Sequence, residues 1–148
     1  MANFLSADGI KLSFPVEPLP VQSARFYRSG RFLRSYQPEK ITSFKQFIRI
    51  YASSQLPDGF QILDSPLAVE ADFVFLPPQS IRKKERAKIA SGEIVYKDRK
   101  PDLTDNLMKG VADALTGIVW TDDARVCEVR SRKRYGTAPG IFLNIKVL

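Results

Sequence analysis

Residues 66–76 place the strictest condition on the fold. Leu67, Val69, Ala71, Phe73 and Phe75 alternate with Ala68, Glu70, Asp72 and Val74, and Pro77-Pro78 then stops the run. A period of two is that of a β-strand, so the chain must build a sheet and cover its apolar face. Material for the cover lies on both sides. From Glu39 to Gln55, Ile41, Phe44, Phe47, Ile48, Tyr51 and Ala52 recur every three or four residues, which predicts an amphipathic helix. A second helix is predicted over 104–116, with Leu107, Val111, Ala114 and Leu115 as its stripe and Gly117 as its stop.

Alternation also predicts strands at 9–16, ended by Pro15, Pro18 and Pro20, at 124–134, and at 140–147, where Ile141, Leu143, Ile145 and Val147 share one side. Residues 81–100 hold eight basic and three acidic side chains and no core-sized apolar face, so they read as a short charged helix near 80–90 followed by a mobile loop. The order β-α-β-α-α-β-β indicates an α+β fold, a small mixed β-sheet packed with helices. A length of 148 residues with 44% hydrophobic content suits a single domain, 1–148, around one core.

Lys and Arg number 23 against 16 Asp and Glu, a formal charge of +7. The expected extended partner is therefore a polyanion, nucleic acid ahead of a membrane surface. No apolar run approaches the roughly 20 residues of a spanning helix, and the N-terminus lacks a secretory signal pattern, so a soluble cytoplasmic protein is expected. Cys127 is the only cysteine, which excludes an internal disulfide and a cysteine-rich zinc site. The absence of histidine removes every hydrolase that works through a Ser-His or Cys-His pair. Catalysis would have to use carboxylates, lysine, tyrosine or metal-bound water.

Carboxylates gather in one region. Asp105, Lys109 and Asp113 stand at i, i+4 and i+8 of the second predicted helix, with Asp102 about one turn earlier and Asp122-Asp123 beyond it. The helix travels roughly 16 Å from Asp105, and the stretch from Gly117 to Asp123 can span up to about 20 Å, so a reversal at Gly117 would bring Asp123 back beside Asp105. Three carboxylates without histidine make an all-oxygen site suited to Mg²⁺ or Mn²⁺. Such an ion polarises a phosphodiester and lowers the pKa of an attacking water, and Lys109 would steady the phosphate. Each residue also has an ordinary reading: Asp102 as an N-cap, Lys109 and Asp113 as an exposed ion pair, Asp122-Asp123 as a turn.

Two basic stretches accompany the acids. Arg25, Arg28, Arg31 and Arg34 recur every three residues among Phe26, Tyr27, Phe32 and Tyr36, either a surface for phosphates and bases or a solvated edge over core aromatics. Arg82, Lys83 and Lys84, then Lys97, Arg99 and Lys100, lead into the acidic segment and read as a phosphate-gripping flap. Arg130, Arg132, Lys133 and Arg134 would add positive charge near Asp123.

The string from Lys100 to Val126, Lys-Pro-Asp-Leu-Thr-Asp-Asn-Leu-Met-Lys-Gly-Val-Ala-Asp-Ala-Leu-Thr-Gly-Ile-Val-Trp-Thr-Asp-Asp-Ala-Arg-Val, resembles the signature of RusA-type Holliday junction resolvases. The resemblance implies a homodimer, a requirement for Mg²⁺ or Mn²⁺, symmetric nicking of four-way DNA junctions, and an origin that is often a phage or prophage. It implies that Asp102, Asp105 and Asp123 are the metal-binding carboxylates, that Lys109 is the catalytic or phosphate-contacting lysine, and that Asn106 is the asparagine after the second carboxylate. Family members commonly read Asp-x-Asp-Asn, whereas Asp102-Leu-Thr-Asp105-Asn106 holds one residue more, and Asp122 is a possible substitute for Asp123. A nuclease for flaps or other branched DNA, and a non-catalytic basic DNA-binding module, are the alternatives to a junction resolvase.

Overall fold

A computed structural model describes residues 4–21, 25–30, 32–36 and 39–148, with the backbone alone described in the strands at 25–29 and 32–36. Strand β1 (Ile10–Phe14) is followed by a hairpin of β2 (Arg25–Ser29) and β3 (Phe32–Tyr36), then helix α1 (Glu39–Gln55) and β4 (Leu67–Phe75). Helix α2 (Lys83–Ala90) and the two-residue β5 (Val95–Tyr96) precede a π-helical turn, Leu103–Met108, that runs into α3 (Lys109–Leu115). A 3₁₀ turn at Asp123–Arg125 enters β6 (Val126–Tyr135), and β7 (Gly140–Val147) ends the fold. The sheet has five strands in the order β1-β7-β4-β6-β5, antiparallel except for the parallel β4–β6 pair, so the expected mixed α+β architecture is present.

Three elements depart from the sequence reading. The β2–β3 hairpin occupies a stretch read as a basic surface, and its register opposes Arg25 to Tyr36 and Tyr27 to Arg34. Arg31 lies outside the described residues. The segment read as a mobile loop after α2 instead pairs through β5 with Arg134 and Tyr135. The helix expected over 104–116 begins with a π turn.

All nine residues of β4 are buried. Leu67, Val69, Ala71, Phe73 and Phe75 share one core with Phe44 and Ile48 of α1 and Val111 and Leu115 of α3, the cover that the alternation demanded. Arg49 of α1 ties the two helices further by donating to the carbonyls of Ala114 and Thr116, at 3.1 and 3.0 Å. Gly110 lets α3 approach the proline-rich stretch, since a Cβ there would lie 2.5 Å from Val21 Cγ2.

The opposite face of β4 carries Glu70 and Asp72, and the parallel register sets Arg130 and Arg132 directly beside them. Asp72 accepts from Arg132 Nε at 3.0 Å and Nη2 at 3.1 Å, and from Arg134 Nε at 3.1 Å. Arg130 approaches Glu70 at 4.0 Å, and the guanidiniums of Arg130 and Arg132 lie over the Phe4 ring. The three arginines expected to offer free charge to DNA near Asp123 are therefore engaged within the protein. Buried carboxylates require such partners, because an unpaired charge at these positions would cost several kcal/mol.

Burial pushes the Glu70 carboxyl up, but hydrogen bonds from the Asn144 amide and the Ser6 backbone N–H, with the charge of Arg130, outweigh it and hold Glu70 at about 2 instead of 4.5. Glu70→Gln should lower stability by roughly 1–3 kcal/mol at neutral pH. A depressed acid contributes fully above its unfolded value, so this deficit should stay constant above about pH 4.5 and vanish as pH falls through about 2. Urea melts of both proteins across that range check it, and a deficit that grows with acidity would contradict the assignment.

Candidate active site

The acidic segment begins where Lys133 holds it. β6 alternates, so Arg132 and Arg134 face Asp72 while Lys133 projects to the helical side, where its ammonium donates to the carbonyls of Arg99 and Pro101 at 2.5 and 2.7 Å. Asp102 follows at once, exposed, in the N-cap position of the π turn with extended backbone (φ −68°, ψ 139°). Its side chain makes no capping hydrogen bond. The ordinary reading of Asp102 as a side-chain cap therefore does not hold, and its carboxylate faces water.

Within the turn, the Leu107 N–H donates to the Asp102 carbonyl at 3.2 Å, a five-residue step. Asp105 is exposed, and Asn106 is half-buried with its carbonyl accepting from the Val21 N–H at 3.4 Å. Lys109 is exposed at the first position of α3. Leu107 and Val111 anchor this segment in the core, while Asp105 and Lys109 are exposed.

The chain reverses at Gly117, whose φ of 86° is costly for any residue with a Cβ and whose N–H donates to the Trp120 carbonyl at 2.7 Å. Trp120 is buried and its indole N–H donates to Thr116 Oγ1 at 3.2 Å. Thr121 donates to Asp64 at 2.7 Å and Arg125 donates to the same carboxylate at 3.0 Å, which braces Asp122-Asp123 from both sides. Asp122 accepts from the Ala124 N–H at 2.8 Å, and that bond first, then one with the Asp123 carboxyl, draws its pKa down. Asp123 is raised, by the bond with Asp122, by desolvation, and by the charges of Asp122 and Asp113. Asp113 in turn meets Lys45 of α1 at 3.6 Å.

The reversal thus carries Asp123 into the electrostatic reach of Asp113. Among the described residues, however, no three Asp, Glu or Cys side chains stand close enough to hold a metal ion as a group. Asp102 and Asp105 form one acidic patch at the π turn, and Asp113, Asp122 and Asp123 form another near the end of α3. All donors are carboxylate oxygens, which suits a hard divalent ion in chemistry.

Of the expected phosphate contacts, Arg82, Lys97, Arg99 and Lys100 line an open groove of about 930 Å³ between α2 and β5, directly before Asp102. Lys83 and Lys84 are exposed on α2 outside that lining. The Lys97 ammonium sits 5.1 and 5.2 Å from the ring centroids of Phe75 and Tyr135, and the Lys97 backbone N–H donates to the Lys133 carbonyl at 3.1 Å. Sequence reasoning grouped Lys133 with the arginines of its strand instead of with this anchor, and it missed Lys45 and Asp64. For Lys133 the signal was available, since in a strand its parity opposes that of Arg132 and Arg134.

The family model described as "Endodeoxyribonuclease RusA" matches residues 15–146. The chain belongs to the RusA endodeoxyribonuclease family. It is 30% identical over 142 residues, 94% of this chain and 96% of the relative, to "Uncharacterized protein YqaN" of Bacillus subtilis (strain 168). Family membership makes this an endodeoxyribonuclease fold and extends the resemblance seen at 100–126 across nearly the whole chain.

The π turn coincides with the length of the acidic motif. A π step spans five residues where an α step spans four, so it stores one extra residue without rotating the helix that follows. The surplus residue in Asp102-Leu-Thr-Asp105-Asn106 falls at the start of that turn. Deletion of Thr104 should therefore leave stability within about 1 kcal/mol, whereas deletion of Ala112 within α3 should cost more than about 3 kcal/mol by turning Leu115 out of the core. Thermal melts of the two variants decide it, and equal losses would rule out the stored-residue account.

Proposed function

We propose that the protein is a divalent-metal-dependent, structure-selective endodeoxyribonuclease that resolves four-way DNA junctions by paired symmetric nicks, as a homodimer in the cytoplasm, during recombination and repair. The observation that carries this reading is continuity. Lys97, Arg99 and Lys100 of the basic groove and the first acidic patch belong to one segment, 97–105, pinned to β6 by Lys133. A strand held by Arg82, Lys97, Arg99 and Lys100 is led straight to Asp102 and Asp105. Lys83 and Lys84 extend the positive field along α2, and Asn106 donates to the backbone near the cut.

Asp102, Asp105 and Asp123 would hold Mg²⁺, with Mn²⁺ as an alternative. Mg²⁺ is commonly bound through one or two carboxylates plus substrate phosphates and water, which suits two separate acidic patches as well as one closed cluster. The ion would supply a water of lowered pKa and neutralise the phosphate. Lys109 would add a fixed cation beside the scissile phosphate. A homodimer would place two such sites about a twofold axis, the symmetry of paired nicks.

That no three carboxylates among the described residues form a metal-holding group favours one other reading, a DNA-binding module without catalysis. Purified protein incubated with a synthetic four-way junction, a flap and a linear duplex, with Mg²⁺ and with EDTA, separates these. Mg²⁺-dependent nicking of the junction is expected, and binding without nicking would favour the module.

Asp105→Asn should abolish nicking and leave junction binding equal or stronger, because it removes a ligand and a charge that repels phosphate. Nicking within tenfold of wild type would remove Asp105 from the site. Lys109→Ala should slow single-turnover nicking by roughly 10²-fold while junction affinity and melting temperature barely move. Lys109→Arg should restore part of the rate, since charge returns without the compact ammonium. An alanine variant as fast as wild type would limit Lys109 to surface pairing.

A further inference from the structure

Thr121, Asp122, Asp123, Ala124 and Arg125 are all exposed, between Trp120 in the core and half-buried Val126. The turn that carries Asp122 and Asp123 therefore has no apolar anchor of its own, and polar contacts must decide its shape. Two of these are local. Asp122 accepts from the Ala124 N–H through its side chain at 2.8 Å and from the Arg125 N–H through its carbonyl at 3.0 Å. They fold the turn upon itself and leave its placement against the rest of the protein open.

That placement comes from a distant part of the chain. Leu63 donates to the Val119 carbonyl at 2.8 Å and accepts from the Thr121 N–H at 3.0 Å, so its backbone is held to the buried stretch before the turn. Asp64 follows, shortly before β4 begins at Leu67. Its Oδ1 accepts from the Thr121 hydroxyl at 2.7 Å and from Arg125 Nε at 3.0 Å. One oxygen thus gathers the first and last residues of the exposed turn. An ion pair as open to water as that of Asp64 and Arg125 adds little to stability. Its effect lies in geometry, because contacts that orient a metal ligand change affinity or activity roughly 10- to 100-fold.

We propose that Asp64 is a positioning residue for Asp123: it clasps the two ends of the exposed turn and so holds the Asp123 carboxylate where a divalent ion binds. The inference rests on the reading of Asp123 as a metal ligand. Asp64 acts through Thr121 and Arg125 and needs no contact with the ion or the DNA.

Three measurements on the whole protein test this: calorimetric titration with Mn²⁺ in the absence of DNA, single-turnover nicking with Mg²⁺, and amide hydrogen exchange. Asp64→Ala should weaken Mn²⁺ binding and slow nicking about tenfold each. It should also speed exchange at Ala124 and Arg125 while the melting temperature and the exchange of α1 and α3 stay as in wild type. Asp64→Asn should recover most of these losses, since its amide oxygen accepts the same two hydrogen bonds. Thr121→Val should reproduce part of the Asp64→Ala loss, and the double variant should lose no more than Asp64→Ala alone. An Asp64→Asn variant as impaired as Asp64→Ala would make Asp64 a ligand or a needed charge and overturn the positioning role. Where Asp123→Asn loses Mn²⁺ binding, wild-type Mn²⁺ affinity in Asp64→Ala would overturn it as well. An Asp123→Asn variant that binds Mn²⁺ and nicks like wild type would sink the metal reading of Asp123 instead, and faster exchange at Ala124 and Arg125 in Asp64→Ala would still support the clasp as what orders the turn.

Discussion

The carboxylate of Asp72, 5% exposed in the middle of the sheet, is gripped by the guanidiniums of Arg132 and Arg134 from the neighbouring parallel strand. This pairing decides more than the stability of one buried charge. A slip of one residue between β4 and β6 would turn both arginines away from Asp72 and leave the acid unpaired, at a cost of several kcal/mol. The register it enforces also determines that Lys133 points to the other side, where it binds the carbonyls of Arg99 and Pro101. The position of the acidic turn therefore depends on an ion pair on the far face of the sheet.

From that anchor the charges divide by location. Positive side chains before Asp102 line the groove, negative ones occupy the π turn and the far end of α3, and the arginines of β6 are spent on Glu70 and Asp72. A formal charge of +7 is thus a poor guide to where a polyanion binds, because in β6 Arg132 and Arg134 both face Asp72 and Arg130 approaches Glu70. Arg99 and Lys100 stay exposed directly before the acids, an arrangement suited to drawing a phosphodiester toward carboxylates that would otherwise repel it.

Much of this was legible in the chain itself. Period-two and period-three-to-four patterns located β1, α1, β4, α3, β6 and β7, because each turns one face toward a common core, and the density of charge located α2. The hairpin at 25–36 was obscured by arginines every three residues, a spacing that imitates a helix while the backbone alternates. β5 escaped notice because two residues are too short for a periodic signal, and its place is set by the edge of β6. The π turn could be sensed only as one residue too many between Asp102 and Asp105. Lys45 and Asp64 act across long separations on Asp113 and Thr121, and nothing local in their segments marks such partners.

Arg49 carries a consequence for how the molecule opens. Its guanidinium closes the last turn of α3 from α1, across separations of 65 and 67 residues, and so occupies carbonyls that a lone helix leaves to water. When α1 detaches, α3 loses its C-terminal cap in the same event, and the reversal that carries Trp120 and Asp123 loses its support. The two helices then form a single cooperative unit in native-state hydrogen exchange, with the amides at 110–116 protected to the same depth as those at 44–52. Fraying at the reversal after α3 is thereby tied to the opening of the α1–α3 pair, and the acidic residues keep their positions for as long as the core stays closed.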